Sequence, residues 1–561
     1  IAYWVSDKAI SLLNSTKSVS DLAAPRQGFA TSDNERFLKF IWEIDKHKRG
    51  QIKWAPCAKG GSFRRWYGNI QYCANWENDG CAMKEYAAYL YKNYTRTIKN
   101  IAYYFKQDGC TWSTIASGKP AFRLFTKDCL FETKGSVCFP IDETKNYSLL
   151  GYLNSPIVTY FLAIFSPTLD FHEGPVGKLP LATISDEKID TLVKDSVSIS
   201  KQDWDAHETS WDFQENELVR LHKDSGGTFA DALVRYKEHW TEQFMQLHAN
   251  EEELNRRFIE IYGLQDELTP DVPLREVTIL QQGEISIEND YILTDSDGTV
   301  FVDENGSTLV MSADEPYIEW HDDVIIKQLI SYIVGVWMGR YRLDKPGLHI
   351  AHPNPTEDEL AEYSFSITGI QTLKIDADAI IPVLPADAPF FDNLRNYVRE
   401  FVRKVWGDES LTENINFMEK CLGKSLDDFL MKDFWKYHKK MYQNRPIYWE
   451  FASKNGAFRA LVYAHRMDRY TVEVVRSKYL LPYRSFVEKK IAALDARAAE
   501  LSTAERKELD RLRKDIAELD EYAQRVEVVA GESAQRDPVF DLDDGIARNH
   551  ALFAPIATKL K

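Results

Sequence analysis

Over residues 229–262 the apolar side chains Trp240, Phe244, Leu247, Leu254, Phe258 and Ile261 recur three, four or seven positions apart. That spacing predicts one long helix with a buried stripe, and Gly263 supplies its C-terminal stop. Residues 322–339 are apolar on most faces, which predicts a helix at the centre of a domain. Near the end, Ile491, Leu494 and Leu501 mark one arm of a charged helical hairpin over 486–526. Leu509, Leu512, Ile516 and Leu519 mark the other arm, which opens on a Ser502/Glu505 capping box. An antiparallel coiled-coil spacer is the expected role, with a partner-binding arm as the sharper alternative. Val300-Phe301-Val302 and Leu309-Val310-Met311 flank Glu304-Asn305-Gly306, which predicts a β-hairpin. Residues 1–24 carry a short helical pattern (Ile10, Leu12, Leu13) that leads into a loop at Pro25. From there to about Pro180 the pattern is mixed α and β, punctuated by turns at Gly60-Gly61, Gly68-Asn69, Asp79-Gly80, Asp108-Gly109 and Ser117-Gly118. Loops of this kind are natural carriers of function.

Residues 146–169 hold no charged side chain, a run long enough on paper to span a bilayer. Asn154-Ser155-Pro156 interrupts it and Ser166-Pro167 closes it. The expectation is two short buried helices, Pro156 in the first turn of the second and Asn154 or Ser155 as its cap. With no secretory signal ahead of them, a soluble cytoplasmic protein with no membrane contact is expected. The 561 residues exceed what a single hydrophobic core supports, so three or four domains are expected. The chain opens on Ile1 without an initiator Met, which suggests a start inside something longer.

A net charge of −17 argues against nucleic acid until its distribution is considered. Residues 1–180 hold 23 Lys/Arg against 16 Asp/Glu, a net of +7, whereas residues 181–561 carry −24. Within 46–127 the imbalance sharpens to 15 basic against 4 acidic residues, interleaved with Trp54, Phe63, Trp66, Tyr67, Tyr72, Trp76, Tyr103, Tyr104, Phe105 and Trp112. Basic stretches threaded with aromatics and glycine turns suit contact with phosphates and bases. A basic solvated face over an aromatic core is the bland alternative. The seven cysteines form no Cys-x-x-Cys pair and the histidines no His-Glu-x-x-His, so no metal is expected and the thiols read as reduced core residues.

Catalytic motifs are absent. A methyltransferase acting on an exocyclic amine needs an (Asp/Asn/Ser)-Pro-Pro-aromatic loop, and no Pro-Pro dipeptide occurs. No Phe-x-Gly-x-Gly turn or Gly-x-x-x-x-Gly-Lys-(Ser/Thr) loop occurs either. The chain alone is expected to carry no catalytic residue and no cofactor.

The run from Arg26-Gln27-Gly28-Phe29-Ala30-Thr31 to Arg36-Phe37, with Lys59-Gly60-Gly61-Ser62-Phe63-Arg64-Arg65-Trp66-Tyr67-Gly68-Asn69, resembles the target-recognition region of BREX-type adenine-specific DNA methyltransferases, the PglX family. Asn75-Trp76-Glu77, Thr111-Trp112-Ser113, Ser117-Gly118-Lys119 and Leu149-Leu150-Gly151-Tyr152 carry the likeness on. So do Ile261-Tyr262-Gly263-Leu264, Gly339-Arg340-Tyr341, Arg445-Pro446-Ile447-Tyr448-Trp449 and, at the ends, Ile1-Ala2-Tyr3-Trp4 and Asp543-Asp544-Gly545. The resemblance implies a C-terminal portion that binds double-stranded DNA in phage defence, with S-adenosylmethionine serving the full-length enzyme and other BREX proteins as partners. The recognition half of a fused restriction-modification enzyme and an assembly platform for defence proteins are the alternatives.

The expected architecture is multidomain α+β. Residues 1–20 would end a methyltransferase domain and 21–182 form the recognition domain. A helical connector (183–285), a mixed α/β domain (286–482), the helical hairpin (483–530) and a tail (531–561) would follow. Gly60-Gly61 lets backbone approach a phosphate, with charge from Lys59, Arg64 and Arg65, one of the two arginines able to fork onto guanine and Asn69 able to read adenine. Lys119 and Arg123 flank a second loop after Trp112-Ser113. Arg26, Gln27, Thr31 and Trp66 complete the expected DNA-binding set, and Asn34 is expected to cap a helix beginning near Glu35.

Overall fold

A computed structural model describes residues 5–116, 118–166, 170–182, 186–292, 310–367 and 369–560. It is α+β, with the strands gathered into several small sheets. In the first third the strands are β1 (Ala23–Arg26), β2 (Leu38–Phe40), β3 (Trp54–Ala58), β4 (Tyr72–Asn75), β5 (Gly109–Trp112), β6 (Phe122–Phe125), β7 (Leu130–Phe131) and β8 (Val137–Pro140). They form two four-stranded sheets, ordered β1-β8-β5-β6 and β2-β4-β3-β7. All pairings are antiparallel except β3 with β7. Strands β3, β5, β6 and β8 are buried at every position. Continuous burial, in place of in–out alternation, means both faces are covered. Phe131 sits at the centre, edge-on to Tyr104, Phe125 and Phe139. Pro25, expected in a loop, lies in β1 opposite Cys138. The strand is at a sheet edge, where the missing N–H breaks no ladder.

The uncharged run folds as helices Asn146–Leu153 and Pro156–Phe165, bent by 74°. No single helix among the described residues is long and apolar enough to cross a membrane. Ser155 occupies the N-cap without a side-chain bond. Asn154 instead grips strand β6, its Oδ1 accepting from Phe122 N (2.9 Å) and its Nδ2 donating to Phe122 O (3.0 Å).

Helices Glu187–Asp205, Glu217–Ser225 and Phe229–Tyr262 follow. The long helix begins at a Thr228/Asp231 capping box, which the sequence reading did not single out, and ends as expected at Gly263 in the left-handed region (φ 64°). Helix Asp322–Trp337 is central, buried continuously from Leu329 to Trp337. Of the predicted 300–311 hairpin, residues 300–309 fall outside the described residues; the described strands Ile285–Ile292 and Val310–Trp320 pair antiparallel. A three-stranded sheet joins Ile380–Pro382, Arg459–Tyr463 and Tyr448–Ala452.

The helical hairpin is Leu481–Asp495 with Thr503–Ala534, and both bonds of the Ser502/Glu505 box are present. Its second arm is not a free spacer along its length. Glu518 accepts from Asn455, and Tyr522 donates to Ile556 O at 2.8 Å, fully buried. The last residues fold back onto the first sheets. Asp543 accepts from the Trp54 indole (2.8 Å), and Ile546 N donates to the buried Glu43 carboxylate (2.9 Å). Trp42 Nε1 reaches Arg445 O at 3.0 Å. The first sheets and the C-terminal elements thus share polar anchors as well as one continuous apolar cluster.

Candidate nucleic-acid interface

The turn after β3 is made by Gly60 (φ 80°) and Gly61 (φ 142°). A Cβ on Gly60 would lie 2.7 Å from Lys134 O, and one on Gly61 would lie 2.7 Å from the Asn69 amide, so neither position admits a side chain. Asn69 (φ 58°) donates to Ser62 O (2.8 Å) and Ser113 Oγ donates to Gly61 O (3.1 Å). Four expected site residues, Gly60, Gly61, Asn69 and Ser113, therefore meet in one place. Gly61 and Ser62 are exposed and form a ridge between two clefts of about 600 and 450 Å³. Lys119 and Arg123 line the smaller cleft.

The arginines behind the ridge face inward. Arg64 donates to Asp203 Oδ2 (2.8 Å), Ser200 O (3.0 Å) and Tyr67 O (2.6 Å). Arg65 pairs with Glu251 (2.6 Å) and Glu276 (3.3 Å). The Trp66 indole donates to the other Glu251 oxygen (2.6 Å), and Arg123 donates to Arg64 O (3.1 Å). Trp112 is fully buried and bonded to Phe171 O (2.7 Å). A base-edge contact needs a side chain free to leave the protein, and all five of these are buried. Arg64, Arg65 and Trp66 anchor the first sheets to helices Glu187–Asp205 and Phe229–Tyr262.

Among the other expected residues, Lys59 lies 3.1 Å from Glu132 and Lys119 lies 2.7 Å from Glu276. Arg26 is half-buried over the Tyr103 ring at 5.2 Å. Gln27 accepts from Lys99 Nζ (3.1 Å) and, through its carbonyl, from Asn100 (2.8 Å). Thr31 is buried and donates to Asn34 Oδ1 (2.6 Å). The cap of helix Asn34–Phe37 is Asp33, which accepts from Arg36 N, and not Asn34.

Residues 84–106, which none of the sequence motifs covers, present an exposed cationic edge. They hold 5 basic residues against 1 acidic. Tyr89 at the end of helix Glu77–Tyr91 is 83% exposed, beside exposed Leu90, Tyr91 and Tyr94. Large aromatics left in water in a cluster mark a contact surface. Arg96 lies 5.5 Å from the Tyr91 ring and Lys84 lies 5.9 Å from the Tyr94 ring. Lys92, Arg96, Lys99 and Lys106 are all exposed. Among the described residues, none of these four has a carboxylate within 4.0 Å. The available signal was local, an aromatic-rich helix end nearly free of acid.

The floor of the larger cleft is rigid and titratable. His207 Nε2 lies 2.7 Å from Glu284 Oε1, both buried. Burial alone would push the imidazolium down; the Glu284 carboxylate more than offsets this and holds His207 up at about 9. A raised value stabilises the fold fully below the unfolded value of about 6.5, and that contribution is lost as pH rises through the folded one. The melting temperature of the chain is therefore expected to fall between pH 7 and 9.5, and His207→Gln should flatten that limb. An unchanged limb in the variant would show that His207 does not titrate there.

Among the described residues no group of three His, Cys, Asp or Glu side chains is placed to hold a metal. S-adenosylmethionine does not fit the turn after β3 either. Gly60-Gly61 leads into the buried Arg64 and Arg65, with no helix N-terminus behind the glycines.

Over nearly its whole length this chain is similar to a portion of two adenine-specific methyltransferases. The relatives are PglX of Lacticaseibacillus casei (strain Zhang), 32% identical over 584 residues, and BrxX of Escherichia coli O9:H4 (strain HS), 32% identical over 589 residues. The alignments take in 98% and 100% of this chain but 44% and 45% of those proteins, so the chain spans just under half the length of either. No protein-family profile matches the chain.

Proposed function

We propose that this chain is the DNA-recognition part, C-terminal to the catalytic domain, of an adenine-specific methyltransferase of the PglX/BrxX kind. It binds duplex DNA and selects one short sequence. A methyltransferase domain elsewhere in the longer protein flips the adenine and methylates its exocyclic amine from S-adenosylmethionine. Phage defence alongside other BREX proteins is the proposed setting. The carrying observation is the exposed edge at residues 84–106, where Lys92, Arg96, Lys99 and Lys106 stand without carboxylate partners among the described residues. Phosphates are the natural counter-charge for such an edge. The Gly61-Ser62 ridge, whose backbone is open to close approach, is the second element of this surface.

The test is enrichment of bound DNA from a pool of duplexes with a randomised core, at low salt. One short motif should emerge by sequencing; absence of any binding would refute the reading. Lys59→Ala is expected to weaken all duplexes alike and lower the salt slope by about one unit. An unchanged slope would show that Lys59 serves only Glu132.

A further inference from the structure

The larger cleft has two walls from distant parts of the chain. Asn69 and Gln71 stand on the recognition side; Gln281, Gln282, Gln328 and Gln443 stand opposite, so six carboxamides line one space. Three are occupied by the protein itself. Asn69 holds Ser62 O, Gln281 reaches Phe63 O at 3.3 Å, and Gln328 donates to Glu284 at 2.6 Å. Gln71 and Gln443 are different. Gln443 Nε2 donates to Gln71 Oε1 at 2.6 Å across the cleft, joining residues 372 positions apart. The remaining groups of that pair, Gln71 Nε2 and Gln443 Oε1, have no hydrogen-bond partner among the described residues. They offer a donor and an acceptor together.

Backbone conformation singles out Gln443 a second time. Helix Phe434–Met441 closes with Gln443 N donating to Lys440 O (3.0 Å) and Asn444 N to Lys439 O (2.8 Å). Gln443 (φ 50°) and Asn444 (φ 60°) both adopt the left-handed conformation that glycine favours at a helix end. An exposed glutamine in that conformation costs stability relative to glycine. Lys440, one turn back, lines the same cleft and has no carboxylate within 4.0 Å among the described residues.

We infer that the C-terminal module supplies part of the DNA-reading surface, with the Gln71–Gln443 pair contacting a base edge and Lys440 a phosphate. This rests on the chain being a DNA-recognition part. The donor and acceptor that this pair leaves free, Gln71 Nε2 and Gln443 Oε1, are the complement of adenine N7 and N6 in the major groove. Sequence choice is then shared between the recognition sheets and a turn far along the chain.

The experiment uses the full chain with the randomised-core duplex pool, comparing wild type, Gln443→Gly, Gln443→Asn and Lys440→Ala. Gln443→Gly relieves the backbone, so its melting temperature should not fall. Its preference at one position of the enriched motif should drop roughly 5- to 150-fold, with affinity for random duplex unchanged. Gln443→Asn should keep part of that preference. Lys440→Ala should leave the motif intact and reduce the salt slope by about one unit. A wild type that enriches a motif together with a Gln443→Gly chain that enriches the same motif equally well would overturn this inference alone. A wild type that binds no duplex would overturn the DNA-recognition reading and this inference with it.

Discussion

Arg64→Ala is expected to destabilise the chain by about 3–5 kcal/mol, the cost of stranding one member of a buried ion pair. Asp203 is 1% exposed and, among the described residues, would keep only the bond from Leu280 N (2.8 Å) to its other oxygen. The lost guanidinium also ties Tyr67 O and Ser200 O and packs 5.0 Å from the Trp204 ring. Urea unfolding followed by tryptophan fluorescence reads the change, and Arg64→Met with Asp203→Leu should recover only the part due to the stranded charge, because Tyr67 O and Leu280 N still lose their partners. A loss below about 1 kcal/mol, the range of an exposed pair, would show that Arg64 is not held as described. Below the unfolding transition the variant's salt slope for duplex DNA should match wild type, because a side chain committed to Asp203 neutralises no phosphate. A slope lowered by a unit would restore Arg64 to the DNA surface.

How far the sequence could be read follows from where each signal lies. Helix Phe229–Tyr262 is legible to its last residue because Thr228, Asp231 and Gly263 sit at its own ends. The Ser502/Glu505 box is legible for the same reason. Arg64 and Arg65 look like DNA ligands because they adjoin two glycines in a basic stretch. Their carboxylates, Asp203, Glu251 and Glu276, lie 139, 186 and 211 residues away, and no local pattern announces them. Exposure is likewise a tertiary property. Tyr89, Tyr91 and Tyr94 form no motif in the sequence, while Trp66 and Trp112, which read equally well as stacking platforms, are core. Gly61 survives as part of a surface ridge because the constraint on the Gly60-Gly61 turn is steric and close at hand. The docking of the second hairpin arm through Glu518 and Tyr522 depends on residues 455–458 and 556, far beyond the hairpin's own heptads.

Duplex affinity of the full chain across a salt series is the most direct measure of whether residues 84–106 meet DNA. It should be compared with a variant carrying Lys92→Ala, Arg96→Ala, Lys99→Ala and Lys106→Ala. Each phosphate contact contributes roughly 0.9 to the slope of log affinity against log salt, so losing four should flatten it by about 3 to 4 units. All four side chains are exposed, so the melting temperature should hold while binding at low salt falls by orders of magnitude. A slope and affinity equal to wild type would contradict the assignment of this edge to DNA.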